Sequence, residues 1–477
     1  MSETQKNLLV IGSGLAGGLA ALSLAKNLGQ GRRVSYLRLK QAPFADPLYG
    51  GVTAPTAYDF LLGLGLDEPT LFMRTQTSFS LGTKYADWGD LPAWIQCHQQ
   101  PLPLIRGVPM RHHLTRLQSP LNSILVGAQI AEHGRFAHPP EDPNIPLSRA
   151  EYGYQFCVAE WAELVDQFLA QQSVEVVDAG SIEIERDAGG IKRVIVDSDT
   201  SLSAQLYVDC TGVDRLCISA LSETYMPQKR VSFSHAKIAK EQLGPACRQI
   251  VTSQEGWSAT VSLQGRDETL TISGEPGLSS ANSERIVELG RLKEAWVGNC
   301  IAIGHANGVA EPLTPAPMML LQLDIERLLE LIPVSENMSA ERREYNRRFA
   351  NDFDHAGLFQ SAFFHADNLP PSAYWTSSKD CASDERLVRK LRHYENRGVL
   401  VRYDLEPFND EDWTILHAGL GRAPRQYDLQ ADGVSRQDAG AQIQALQRSI
   451  GAMVSKVPPH HLYVANMKRY FEKQNYA

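Results

Sequence analysis

A glycine-rich segment near the start of the chain has the residue types and spacing that bind a nucleotide pyrophosphate. An apolar run at residues 8–11 leads into the motif GSGLAG at residues 12–17, and alanine- and leucine-rich sequence with helical spacing follows. In a strand–turn–helix of this kind the three glycines permit the tight turn, the approach of the pyrophosphate and the close packing of the helix. Free N–H groups at the helix start complete an anion site. The motif predicts a dinucleotide site formed by Gly12, Gly14, Leu15, Ala16 and Gly17.

The strand predicted next, at residues 33–37, ends in a cation. Dinucleotide folds usually place an acidic residue after this strand, where it binds the ribose hydroxyls. This chain has Arg38 there and Lys40 shortly after. Either Arg38 meets a phosphate or the adenosine is held elsewhere, and a plain NAD site is disfavoured.

Two later segments carry candidate polar groups on predicted strands. Residues 77–88 alternate as a strand should and contain Lys84, which composition alone would place at a solvated edge. A second strand ends in Asp209-Cys210-Thr211-Gly212. Such a strand end sets an acid and a flexible glycine beside a nucleotide, so Asp209 and Gly212 are predicted to contact the cofactor or to order the backbone next to it.

Composition and charge exclude several classes of protein. The 477 residues include 46 basic and 55 acidic ones, for a net charge of −9 without a basic block, which argues against a nucleic-acid partner. Seven cysteines without CxxC spacing favour a reducing cytoplasm and predict no metal site. The uncharged stretch between Lys6 and Lys26 has glycines at turn positions and no basic leader, so we expect neither a membrane span nor a signal peptide.

Several further segments resemble the flavin-dependent tryptophan halogenases, a branch of the FAD monooxygenase-like superfamily. LYGGVTAP, LLGLGLDE and FSLGTKYADW are similar to the family's GVGEATVP, LLGID and FKLGxKFxxW, and WVGNCIAIGHANGVAEPL is similar to GNCVAIGxAxGFxEPL. Segments as far as His460-His461 extend the resemblance over nearly the whole chain. It implies an α/β protein with a Rossmann-type FAD-binding core of the two-dinucleotide-fold kind, an inserted β-sheet substrate region and a helical C-terminal region.

The resemblance also implies how the chain is divided and where the flavin binds. Residues 1–90, 150–225 and 290–335 would form a discontinuous FAD-binding domain, residues 91–149 and 226–289 substrate-side insertions, and residues 336–477 a helical cover. The implied flavin contacts are Gly50, Gly51, Val52, Thr53, Gly304, Pro312, Leu313, Ala316 and Pro317.

Catalytic and substrate positions are carried over in the same way. Lys84 falls on the family's catalytic lysine and Thr314 on its catalytic glutamate. Trp257 is what remains, with its glycine, of the family's GWxWxIP signature. Tyr374 and Trp375 fall on an aromatic pair that packs on the substrate ring, although two core aromatics would fit the pattern equally well.

Three substitutions fall where the family handles a halide. Thr314 cannot ionise as a carboxylate, Pro317 has no N–H to offer an anion, and Gly51 replaces a glutamate. The resemblance implies reduced FAD from a separate flavin reductase, reaction with O₂, halide as a further reactant and an indole-like ring as substrate, with a homodimer also allowed. The substitutions keep two alternatives open: hydroxylation of an aromatic ring or of a protein-bound tryptophan without halide, and a non-catalytic flavin-binding protein.

Overall fold

The computed structural model describes residues 6–29, 32–40, 43–222, 224–274, 285–335 and 337–474. The strands are β1 (Lys6–Gly12), β2 (Arg32–Leu39), β3 (Ser78–Ser80), β4 (Gly82–Ala86), β5 (Ala93–Cys97), β6 (Leu104–Ile105), β7 (Val108–Pro109), β8 (Gly153–Gln155), β9 (Glu175–Ala179), β10 (Ile182–Asp187), β11 (Gly190–Val196), β12 (Thr200–Leu202), β13 (Leu206–Cys210), β14 (Tyr225–Ala239), β15 (Arg248–Ser253), β16 (Gly256–Leu263), β17 (Arg266–Ser273), β18 (Arg285–Leu292), β19 (Trp296–Val297), β20 (Cys300–Ala302) and β21 (Gly308–Val309). The α-helices are α1 (Gly14–Asn27), α2 (Ala57–Gly63), α3 (Glu68–Arg74), α4 (Met110–Leu117), α5 (Val126–Glu132), α6 (Val158–Leu169), α7 (Ala316–Glu330), α8 (Ser339–Phe364), α9 (Ala373–Cys381), α10 (Glu385–Arg397), α11 (Asp410–Gly419), α12 (Arg436–Val454) and α13 (His460–Lys473).

A six-stranded sheet of order β19-β20-β13-β1-β2-β9 forms the nucleotide-binding half. Its central strands are parallel, and β1 is buried on both sides, as expected for a strand made of continuous apolar residues. Helix α1 packs against α6 and α7 over this sheet. Because the carboxyl ends of β1, β13 and β20 meet at one edge, the loops that follow them lie together and can form a single site.

An eight-stranded sheet of order β21-β18-β14-β17-β16-β15-β4-β5 forms the second half. Its pairs are antiparallel except β15 with β4, which sets Arg248 beside Thr83 and Gln249 beside Lys84. Helices α8 to α13 follow and provide the helical C-terminal region. Every helix in the described ranges falls short of what is needed to cross a bilayer.

Two details of the structure differ from the sequence prediction. The single strand expected at residues 77–88 is broken at Leu81, so that β3 pairs with β8 while β4 joins the large sheet. The proline- and histidine-rich segment after residue 88 also contains helices α4 and α5. In the first segment tertiary packing divides the alternating run between two sheets. In the second segment the helices form although the sequence has no long periodic pattern of its own.

Candidate active site

The glycine motif forms the turn between β1 and α1 that the sequence predicts. Gly14 has φ +68° and a Cβ there would lie 2.2 Å from the Asp46 carboxylate, so the position needs glycine. A Cβ on Gly17 would lie 2.7 Å from the Tyr36 hydroxyl of β2, which explains how α1 packs so closely on the sheet. Gly304, after β20, lies against Tyr49 and Ala16, so the third loop reaches the same turn.

A cavity of about 370 Å³ opens beside this turn, and Gly14, Gly50 and Gly51 are among its walls. Gly50 also connects the cavity to the loop after β21, because a Cβ there would lie 3.1 Å from the Pro312 side chain. Val52 and Thr53 are turned the other way: both are fully buried and pair with β8, where the Thr53 hydroxyl accepts from the Tyr154 N–H at 2.9 Å. The residues that line the cavity fit a flavin nucleotide, since glycines and other small residues surround the N-terminus of α1.

Asp46 is an unexpected group in this cavity. Its carboxylate lies over the N-terminus of α1, where it accepts a hydrogen bond from the Leu15 N–H at 3.4 Å. Burial raises the pKa of Asp46 to about 7, and the Leu15 bond opposes this rise only in part. The side chain therefore carries a titrating negative charge at the place where a pyrophosphate would bind.

Asp46→Asn is expected to tighten FAD binding at least about tenfold at pH 8, because it removes a like charge from the phosphate position. The difference should shrink toward pH 6, since a carboxyl with a raised pKa of about 7 is neutral below that pH and charged above it. Flavin fluorescence titration from pH 6 to 8 measures this. His235, Lys237, Glu163 and Glu268 line the same cavity and remain in the variant, so the difference between the two proteins isolates the contribution of Asp46.

Two predicted cofactor contacts are already engaged with protein groups. Arg38 forms ion pairs with Asp178 at 2.7 Å and Asp166 at 3.0 Å, which neutralise its charge. Asp209 is fully buried and accepts from Thr211 and from the Cys217 and Ile218 N–H groups, at 2.7 to 2.9 Å. Asp209 thus orders the turn at Gly212, which is the second of the two roles that the sequence allowed.

The loop that connects β21 to α7 is held by a buried arginine that the sequence analysis did not single out. The Arg248 side chain is 0% exposed and donates to the carbonyl oxygens of Pro312 at 2.9 Å and Leu313 at 2.6 Å. The Tyr85 hydroxyl donates to the same Leu313 oxygen at 2.7 Å. Within the described ranges no carboxylate lies within ion-pair distance of Arg248, and its Nε is buried without a partner.

Burial lowers the pKa of Arg248 to about 10, so the guanidinium is still charged at neutral pH. Thr83 pairs with Arg248 across β15 and β4, and its buried hydroxyl has no hydrogen-bond partner. The Nε2 atom of His98 is also buried without a partner. Burial, and after it the charge of Arg248, lowers the pKa of His98 to about 4. A buried cation without a counter-ion, beside polar groups without hydrogen-bond partners, destabilises the fold unless an anion or a water molecule binds to them.

Lys84 lies on the opposite face of β4 from Tyr85, since neighbouring side chains on a strand alternate. It is half-buried beside Ile95 and acts electrostatically on the Cys247 thiol, whose pKa burial raises to about 12. Its ammonium group has no hydrogen bond or ion pair to the described parts of the chain. The structure therefore brings Tyr85 and Arg248, not Lys84, into contact with the loop.

Thr314 lies at the start of α7 and is only 2% exposed. Its hydroxyl oxygen accepts from the Ala316 N–H and from Gln360, each at 3.3 Å. Pro317 stands in the first turn of α7, so this turn lacks one of the N–H groups that would face an anion. The N-cap residue of α7 is Pro315, so the contacts of Thr314 are those of a local turn just before the helix.

The three predicted substrate aromatics are part of the closed core. Trp257 and Tyr374 both donate to Oε1 of Glu311, at 2.9 and 2.7 Å, and are 0% and 3% exposed. The Lys229 ammonium lies 3.6 Å from the other Glu311 oxygen and 3.9 Å from the centre of the Tyr374 ring. Trp375 donates to the Ser253 carbonyl oxygen at 3.0 Å. Their polar atoms are satisfied internally, which is the arrangement that the core alternative describes, and their contact with a substrate ring stays a prediction.

A glycine turn at a helix N-terminus, a cavity beside it and a second sheet over the adjoining loop define a dinucleotide-fold protein of the flavoprotein kind. The model of the tryptophan halogenase family matches residues 7–436. The chain belongs to this family. The sequence predictions of family, fold class and flavin-dependent oxidoreductase are confirmed.

Individual relatives are distant in sequence and close in fold. The chain is 22% identical to the tryptophan 6-halogenase SttH of Streptomyces toxytricini, over 96% of this chain and 98% of that one. It is 24% identical to the tryptophan 7-halogenase RebH of Lentzea aerocolonigenes, over 89% and 91%. The structure of BrvH, a flavin-dependent halogenase from Brevundimonas sp. BAL3, superposes with a TM-score of 0.88 at 20% identity over 98% of this chain and 100% of that one.

Proposed function

We propose that this protein halogenates an electron-rich aromatic ring of the indole type, using FAD that a separate reductase delivers in reduced form. The observation that carries the proposal is the buried guanidinium of Arg248, which binds the carbonyl oxygens of Pro312 and Leu313 and has no carboxylate within ion-pair distance in the described ranges. A buried cation without a carboxylate favours an anion nearby, which offsets the loss of an amide at Pro317. The tryptophan halogenases among the relatives support the ring class.

The chain's residues would have separate tasks in this reaction. Bound reduced flavin supplies the electrons that activate O₂. The N-terminus of α1 and Gly14 hold the pyrophosphate, while Gly50 and Gly51 leave room for the ring system. Arg248 and Tyr85 fix the carbonyl groups of the loop, and the charge of Arg248 raises the local affinity for a halide.

Hydroxylation without halide is the second candidate. Pro317 and Thr314 favour it, because the first turn of α7 presents neither the second amide nor a carboxylate. The substrate of that reaction would be a tryptophan side chain within a partner protein or a small aromatic molecule.

The two reactions differ in which atom enters the product. We would supply the protein with FAD, a flavin reductase, NADH and air, with and without bromide, on a panel of indoles and phenols, and analyse the products by mass spectrometry. Bromine incorporation supports the proposal. Oxygen incorporation that does not depend on bromide supports the second candidate. A protein that binds no flavin would contradict both candidate reactions.

Lys84→Ala is expected to lower product formation by at least about 100-fold, if Lys84 serves as the catalytic lysine that the resemblance implies. The side chain has no partner in the described ranges, so its removal should leave the melting temperature and the FAD affinity unchanged. Tyr85→Phe, at the next position on the other face, is the matched control and should lose less than about tenfold, since Arg248 still holds the Leu313 oxygen. Full activity of Lys84→Ala would assign the chemistry to the Tyr85 face of the strand.

Two finer features belong to this proposal. A cytoplasmic location suits the seven free cysteines, six of which are buried. A homodimer remains compatible with it, and gel filtration of the purified protein tests that state.

A further inference from the structure

A second cavity, of about 710 Å³, lies between the edge strand β5 and helices α4, α10 and α11. It shares no lining residue with the flavin cavity. Trp94 forms the wall toward the loop, since its ring stacks on Tyr85 at 4.7 Å between ring centres and the Tyr85 hydroxyl contacts Leu313. The cavity is therefore one aromatic pair away from the loop of the candidate active site.

The charges around this cavity have one sign. Four arginines line it, and the described residues of its wall include no aspartate, glutamate, lysine or histidine. Two of the four are paired from outside: Arg111 lies 3.9 Å from Asp410, and Arg116 lies 3.0 Å from Asp432. The other two arginines, Arg422 and Arg425, are the candidates for binding an anionic ligand.

Arg422 is held so that one nitrogen is left over. Its Nη2 donates to the Ala362 carbonyl oxygen at 2.9 Å, whereas Nη1 is buried without a partner. Glu395 and Asp367 act on it only from beyond ion-pair distance, and burial lowers the pKa of Arg422 to about 10, so it stays charged at neutral pH. Arg425 is exposed at the mouth and has no ion pair within the described ranges.

The cavity also presents fixed aromatic surfaces. Tyr394 stacks on the buried His417 with 3.7 Å between ring centres, and Trp94 is fixed by Tyr85. The rings of Trp94 and Tyr394 are 6% and 4% exposed, so each offers the cavity a small, fixed apolar contact at little entropic cost. The wall thus combines places for a planar ring with two unneutralised guanidinium groups.

We infer that this cavity binds an aromatic carboxylic acid, with the carboxylate on Arg422 and Arg425 and the ring against Trp94 and Tyr394, and that it disfavours aromatic amines. A carboxylate matches the planar donor fork of a guanidinium, and an ammonium group would find no acidic partner in the wall. That this ligand is the substrate rests on the proposed function; the ligand class itself rests on the cavity alone.

The test is equilibrium binding by calorimetry to the full-length protein, without reductase or turnover. Indole-3-acetate should bind at least about tenfold more tightly than tryptamine, with tryptophan between them. Arg425→Gln, at an exposed position, should weaken indole-3-acetate severalfold, and Arg422→Gln by about tenfold or more, while tryptamine changes little in either. Arg469→Gln on α13, which makes the same charge change away from the cavity, should match the unmodified protein.

Equal or tighter binding of tryptamine overturns the inference, and so does an indole-3-acetate affinity that Arg425→Gln leaves unchanged. If Arg422→Gln fails to fold because the Ala362 contact is lost, Arg425→Gln alone decides. Bromination of amines without any preference for acids would refute this inference and leave the proposed function standing. Tight, arginine-dependent binding of the acid without any oxidised product would support this inference and refute the proposed function.

Discussion

Replacing Arg248 by methionine is expected to lower kcat/KM for the aromatic substrate by at least about 100-fold. The substitution removes two charge-assisted hydrogen bonds to the Pro312 and Leu313 carbonyl oxygens, each worth about 1.5–3 kcal/mol, and the positive charge at the loop. Steady-state kinetics with varied bromide measures the effect. The apparent KM for bromide should rise as well, which a purely structural role for Arg248 would not require.

Arg248→Lys is the matched control for this prediction. It keeps a cation and loses the fork that reaches both oxygens, so we expect an intermediate kcat/KM and a bromide KM close to that of the unmodified protein. FAD affinity and melting temperature should be measured for both variants, to separate damage to the loop from damage to the fold. A methionine variant with unchanged bromide KM and kcat would contradict the assignment of an anion to this arginine.

Glu311→Ala is expected to lower the free energy of unfolding by about 3–5 kcal/mol, because it leaves the Lys229 ammonium buried with no carboxylate and only the Ser378 hydroxyl as a partner. It also strands the indole N–H of Trp257 and the hydroxyl of Tyr374, which both donate to this carboxylate. Urea-induced unfolding, followed by tryptophan fluorescence, measures the loss.

The double variant Lys229→Met with Glu311→Gln is the control for that loss. It removes both charges while keeping an acceptor for the two aromatic donors, so it should be markedly more stable than Glu311→Ala alone. A loss below about 1 kcal/mol in Glu311→Ala would show that water reaches Lys229 and that the cluster is not closed.

Much of the flavin half could be predicted from the sequence because its signals are local. The GSGLAG motif specifies a strand, a turn and a helix between residues 6 and 27, and Gly17 packs on β2 as the motif requires. The segment from Cys300 to Leu313 likewise predicts a strand and a loop that return to the same edge of the sheet. Each of these inferences needs only neighbouring residues and the rule that parallel strand ends meet.

The rest depends on pairings that no local pattern contains. That Tyr85 and not Lys84 faces the loop follows from the register of β4 with β15 and β5, and a shift of one residue would exchange their faces. Arg248 gives little sign of its role, being a single cation in a short strand. The convergence of Trp257 and Tyr374 on Glu311 joins three distant segments, so composition could not distinguish a substrate platform from a core.

The contacts that hold the loop have a consequence for how the protein matures. The Arg248 bonds to the loop span 64 and 65 residues, and the Tyr85 bond spans 228 residues. Contacts at such separations carry a large loop-closure entropy and form late, after the local turns and helices are in place. During synthesis the active loop cannot assemble until residue 313 has left the ribosome, although the first β1–α1 turn is complete almost 300 residues earlier. A refolding chain should therefore recover its secondary structure well before its activity, and shortened chains that end before α7 should fold in part without ever becoming catalysts.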